Sequence, residues 1–141
     1  MARVESRSNS TTKTSAAAST APDRTGKRVG SMTRMPLEQF FQLQQTDGAL
    51  IYDVRPGFVY AFGHVPGAVS WPKRAFASKL SQFEPAILAA NRSGKPVVLY
   101  CTDAECPDSR TVAGWLTDRG LDVYVLEGGW AAWKEGDLPT E

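Results

Sequence analysis

A chain of 141 residues is long enough for one domain with a buried core and short enough that a second full domain is not expected. With 42% hydrophobic residues, 22% charged residues and a net charge of +1, the composition is globular and gives no electrostatic reason to bind nucleic acid or an anionic membrane. Two cysteines are too few for a disulfide framework, and no run approaches the ~18 apolar residues of a membrane span or the core of a secretory signal, so the expectation is a soluble, cytoplasmic protein.

In chain order, residues 1–34 hold twelve Ser/Thr, seven Lys/Arg, two acids and no aromatic side chain. So little apolar surface cannot offset the entropy of ordering the backbone, and residues 1–32 are read as a disordered tail ahead of a domain over 33–141. Its Arg/Ser/Ala bias is also that of an organelle transit peptide, without the amphipathic apolar face of a mitochondrial one. Thr33 as cap, Pro36, Glu38 and the spacing of Leu37, Phe40 and Phe41 predict a first helix ending at Gly48. Strands are predicted over 49–54 ("ALIYDV") and 68–71 ("AVSW"), with a short helical turn at 58–62 between them.

Residues 73–95 read as one helix, or two broken at Pro85, ending at Gly94. "PVVLYC" (96–101) is wholly apolar, as in the middle of a parallel sheet. "DSRTVAGWLTDRG" follows as an amphipathic helix with Val112, Trp115 and Leu116 inward and Gly120 as its stop. "DVYVLEGG" is a further strand, and "WAAWKEGDLP" a last short helix ending at Gly136. Strands alternating with helices predict an α/β fold with a mostly parallel sheet.

In such sheets, sites form beyond the carboxyl ends of the strands, and Cys101 stands at one. The loop after it wraps the start of the next helix, where free N–H groups and the helix dipole stabilise a thiolate and an anion attached to it. Asp103, Glu105 and Asp108 work against both, although Asp108 also suits a helix cap. Two readings of Cys101 stand: a nucleophile, or a small buried hydrophobe closing a core strand.

"LIYDVRPGFVYAFGHVPGAVSWP" (50–72) and "KPVVLYC…S…LTDRGLDVYVLEGGWAAWKEGDLP" (95–139) together resemble a rhodanese-type domain. D-V-R, G-H-x-P-G-A, strand-Cys-loop-helix, L-E-G-G-x-x-x-W and G-x-L-P stand in that family's order, and the resemblance covers about residues 33–139. It implies a central parallel sheet of about five strands with helices on both faces. It further implies that Cys101 accepts a sulfane sulfur as a persulfide and passes it to a thiol or cyanide, without metal or organic cofactor. The persulfide would rest in the loop of Thr102, Asp103, Ala104, Glu105, Cys106 and Pro107, among the N–H groups of all but the proline. The implied partner is a small sulfur donor or a persulfide-carrying thiol or protein.

The chain departs from the family pattern at this loop, which is about two residues longer if Ser109 matches the usual helix-start serine. Thr102 stands where a basic residue is usual, and Arg110 falls inside the first helical turn. Weak turnover of the thiosulfate dianion is therefore expected. A phosphatase relative would need Cys-x5-Arg to hold phosphate oxygens, and position 107 is proline.

Cys106 is either a second thiol able to resolve a persulfide or sulfenic acid on Cys101, or a packed residue at the helix start. Two cysteines and the lone His64 do not make a zinc site. By the resemblance, Asp53 and Arg55 lie near the loop: Arg55 either holds an anionic donor or forms a bracing ion pair with Asp53. His64 is read as fixing a turn rather than as a general base, Gly128 and Gly129 as permitting a tight turn, and Trp71, Trp130 and Trp133 as core and pocket wall. The alternative to a sulfurtransferase is a non-catalytic docking or thiol redox-sensing module using Cys101 and Cys106.

Overall fold

The computed structural model describes residues 29–141. The elements are β1 (Met32–Met35), α1 (Leu37–Gln45), β2 (Leu50–Asp53), α2 (Gly57–Phe62), β3 (Val69–Ser70), a 3-10 turn (Lys73–Ala75), α3 (Phe76–Ser93), β4 (Val97–Tyr100), α4 (Asp108–Thr117), β5 (Val123–Leu126) and α5 (Gly129–Glu135). The five strands form one parallel sheet in the order β1-β5-β4-β2-β3. The apolar run of β4 is the middle strand, and all four of its residues are buried.

Strand alternation divides the core in two. Val97, Leu99 and Cys101 face one side, with Tyr52, Val54 and Trp71, against Ile87 and Ala90 of α3 and Val112, Ala113 and Leu116 of α4. Val98 and Tyr100 face the other, with Ile51 and Leu126, against Phe40 of α1 and Trp133 of α5. Helices thus cover both faces, as the resemblance implied.

Three local expectations are corrected. Thr33 is not a helix cap; it lies in β1, an edge strand whose first three residues are exposed, and α1 starts after Pro36 with no side-chain cap. The packed chain also begins before Thr33: the N–H of Gly30 donates to Thr117 O (2.8 Å) and that of Ser31 to Asp122 Oδ1 (2.9 Å). Residues 1–28, most of the expected tail, lie outside the described residues. Finally, Trp115 does not point inward: α4 buries Ser109, Val112, Ala113 and Leu116, a stripe at i, i+3, i+4 and i+7, and leaves Trp115 39% exposed with its ring on Phe76.

Pro85 does not break α3, which runs through it to a left-handed Gly94. Pro85 and Ser81, whose carbonyl loses its helical donor, are both exposed, so water can satisfy the freed oxygen. No helix of the described residues is long and apolar enough to cross a membrane.

Candidate active site

The loop from Cys101 to Pro107 leaves the carboxyl end of β4 and delivers the chain to the start of α4. α5 fixes its first two residues, since Trp130 N–H donates to Cys101 O and Ala131 N–H to Thr102 O, each at 2.8 Å. That approach depends on Gly129, which has φ +57°; a Cβ there would sit 2.5 Å from Cys101 O.

Asp103 orders the rest of the loop. Its Oδ1 accepts the N–H groups of Glu105 and Cys106, both at 3.0 Å, in an Asx-type turn. Two of the N–H groups expected to cradle a persulfide are therefore bonded to a carboxylate of the loop itself.

Cys101 and Cys106 are joined as a disulfide, with Cα atoms 6.3 Å apart. Cys101 is buried among Val54, Leu99 and Val112; Cys106 is half-buried at the edge of the same cluster. A carboxylate oxygen of Asp108 lies within 4.8 Å of both sulfurs. Lys73 Nζ is 3.2 Å from Asp108 Oδ1, reaching across from the turn after β3. These three groups are the only described cluster with metal-ligand chemistry, and with the sulfurs bonded to each other neither offers a thiolate.

Two hollows flank the loop. A cavity of about 170 Å³ is lined by Cys106, Ser109, Asp103, Arg34, Arg110 and Glu127. Two cations thus face two acids around it, and Arg110 lines this cavity despite its place in the first turn of α4. An open groove of about 720 Å³ meets the end of the loop at Asp108 and is lined also by Val54, Lys73, Phe76 and Trp115.

Arg55 is committed to a buried ion pair with Asp53. It is 2% exposed, with Nη2 donating to Asp53 Oδ2 (2.6 Å) and to Gly63 O (2.8 Å), and its guanidinium lies over the Trp130 ring. Burial lowers its pKa, but the hydrogen bond and charge of Asp53, helped by Tyr100, outweigh this and leave it above its ordinary value. The pair sits on the Tyr100 side of the sheet, whereas the Cys101 side chain is on the other. His64 is likewise engaged elsewhere: Nδ1 is 2.9 Å from Tyr60 O, the ring stacks on Tyr60, and Nε2 is 3.6 Å from Glu141.

Thr102, Ala104, Glu105 and Pro107 are exposed, and Ser109 is buried in the first turn of α4. Arg34 and Lys73 escaped the sequence reading, whereas Asp108, counted there among the acids opposing a thiolate, does lie beside the sulfurs. Lys73 is 35 residues from Asp108 and meets it only because β3 and β4 flank β2.

Known proteins agree with this architecture. A thiosulfate sulfurtransferase of Actinobacillus pleuropneumoniae is 27% identical over 112 residues, 79% of this chain and 94% of the relative. An HTH-type transcriptional regulator of Mycobacterium tuberculosis is 30% identical over 124 residues, 86% of this chain, which spans about half (49%) of that relative. The crystal structure of a rhodanese-related protein from Thermoplasma volcanium superposes with a TM-score of 0.63 at 19% identity, over 77% of this chain and 97% of that one. The sequence profile of the Rhodanese-like domain matches residues 37–136, and with the parallel sheet and the strand-end cysteine in place the chain belongs to that family.

Proposed function

We propose that the protein is a sulfurtransferase with Cys101 as its nucleophile. The observation carrying this reading is the position of Cys101, at the carboxyl end of the central strand where its loop meets the start of α4. The family membership and the thiosulfate sulfurtransferase relative support it. In the reduced protein the Cys101 thiolate attacks the sulfane sulfur of the donor. With thiosulfate, the S–S bond breaks, sulfite leaves with the electron pair, and the sulfur stays on Cys101 as a persulfide. An external thiol or cyanide then removes it. Arg34 and Arg110 offer positive charge to an anionic donor in the small cavity, and Asp103 and Glu127 oppose it. A donor with less negative charge than thiosulfate, such as an organic persulfide, suits that balance better.

The test is intact-mass measurement of the reduced Cys106→Ser protein, in which the second thiol cannot remove the sulfur, after exposure to thiosulfate or to an organic persulfide. One added sulfur that is lost when Cys101→Ser is introduced as well is the expected result. No added sulfur with either donor overturns the reading.

The disulfide between Cys101 and Cys106 favours a second reading, a thiol redox switch in which oxidation withdraws the nucleophile. In that case the two cysteines oxidise and reduce reversibly while neither carries sulfur.

A further inference from the structure

We propose that Cys106 is a resolving thiol, through which the loop reduces the sulfur it accepts and releases it as hydrosulfide. This goes beyond transfer to an external acceptor, and it rests on the reading of Cys101 as the persulfide-bearing residue.

Three observations converge on it. The sulfurs of Cys101 and Cys106 reach one another within a single loop, without any rearrangement of the sheet. A cross-link between residues five apart closes a short loop and restrains the unfolded chain less than one closing a long loop, so stability is the smaller part of what this bond can supply. The two sulfurs are also unequally accessible: Cys101 is 3% exposed, whereas Cys106 is half-buried and lines the small cavity.

The chemistry balances as follows. With Cys101 carrying a persulfide anion, the Cys106 sulfur attacks the Cys101 Sγ. The bond between Sγ and the outer sulfur breaks, and the outer sulfur departs with the electron pair. The proton of Cys106 ends on it, giving hydrosulfide, and the Asp108 carboxylate, within 4.8 Å of both cysteine sulfurs, is placed to pass it across. The thiol pair has supplied two electrons and is left as the Cys101–Cys106 disulfide, the form the structure holds.

Renewal requires a dithiol reductant. It attacks the more accessible Cys106 sulfur, forms a mixed disulfide there and frees Cys101 as the leaving thiolate. The reductant's second thiol then releases Cys106 and leaves as the reductant's own disulfide.

The test uses the reduced, desalted full chain under argon, so that oxygen is not the oxidant. An organic persulfide is added in equal amount, with no acceptor thiol in excess. The native chain is expected to lose two hydrogens in mass while hydrosulfide appears at up to one equivalent. Cys106→Ser, with Cys106→Ala as a second variant, is expected to retain one added sulfur and release hydrosulfide at least about tenfold more slowly. Asp108→Asn slows release in the native background.

If the native chain and both Cys106 variants hold the sulfur alike, the resolving role fails and the sulfurtransferase reading survives. If no Cys106 variant gains sulfur, the sulfurtransferase reading fails with it. Sulfur that stays on Cys101→Ser and is lost with Cys106→Ser reverses the roles and overturns both.

Discussion

Asp103 Oδ1 accepts the backbone N–H of Cys106 at 3.0 Å, so a carboxylate occupies a donor that an incoming sulfur anion would use. The same oxygen takes the N–H of Glu105. Asparagine at this position keeps an acceptor for both N–H groups and removes the charge. A unit charge removed at about 4 Å changes the interaction with an anion by about 1 kcal/mol in water. Asp103→Asn is therefore expected to raise kcat/KM for thiosulfate by about fivefold to tenfold per charge felt, and to alter that for a neutral donor little. Steady-state kinetics with the two donors makes the comparison. Equal effects on both would assign Asp103 to loop shape and not to charge.

The Asp53–Arg55 pair is a structural brace, and its removal should appear in stability. Removing one partner of a buried ion pair costs about 3–5 kcal/mol, because the other charge is left uncompensated. Asp53→Ala is expected to lower the urea midpoint accordingly. Arg55→Lys loses the paired donors to Asp53 and the stacking on Trp130, so it too should destabilise. KM for thiosulfate should stay unchanged in whatever Arg55→Lys protein remains folded. A rise in KM would return Arg55 to the donor site.

Two buried tyrosines make the fold sensitive to alkali. Burial pushes Tyr52 up to about 12. Tyr100 is raised as well, by burial first and then by Asp53, against the Val65 N–H bond to its oxygen and the charge of Arg55. An unfolded tyrosine ionises near pH 10, so the folded state favours the neutral phenol and the unfolded state loses its proton first. The stability Tyr52 contributes is complete below pH ~10 and falls by about 1.4 kcal/mol per pH unit until about pH 12. Urea unfolding of the native chain and Tyr52→Phe, at about pH 9 and about pH 11, should show a smaller alkaline loss in the variant.

Gly129→Ala should damage the loop from outside it. The added methyl would lie 2.5 Å from Cys101 O and 3.1 Å from Asp103 N, backbone atoms that cannot swing away, at a left-handed φ. A loss of about 1–3 kcal/mol is expected, with sulfur loading of Cys101 slowed. Gly57→Ala, where the methyl meets nothing within 4 Å, is the control and should be neutral. Thermal denaturation and the rate of sulfur gain check both variants.

The three inner strands, β2, β4 and β5, could be read from their apolar runs, and Cys101 from its place at the end of one. β1 could not, because an edge strand of sequence MTRM buries only Met35 and looks like the polar tail before it. Thr33, Pro36 and Glu38 also imitate a helix start. The loop residues were legible as a group, but their partners were not. That Asp103 would turn inward onto N–H groups depends on the backbone path of the loop, and nothing local in the sequence sets it. Asp53 and Arg55 were placed at the correct end of the sheet. Asp53 takes the Tyr100 face by alternation from Ile51, and the turn after β2 carries Arg55 onto Trp130 and away from the sulfurs.

The bond between Cys101 and Cys106 also governs how a sample of this protein should be judged in the laboratory. It occupies the nucleophile in a structure whose α4, α5 and five strands are all formed. Circular dichroism and a melting curve would then certify a preparation that a turnover assay scores as dead. Counting titratable thiols before each assay separates an inert protein from an oxidised one.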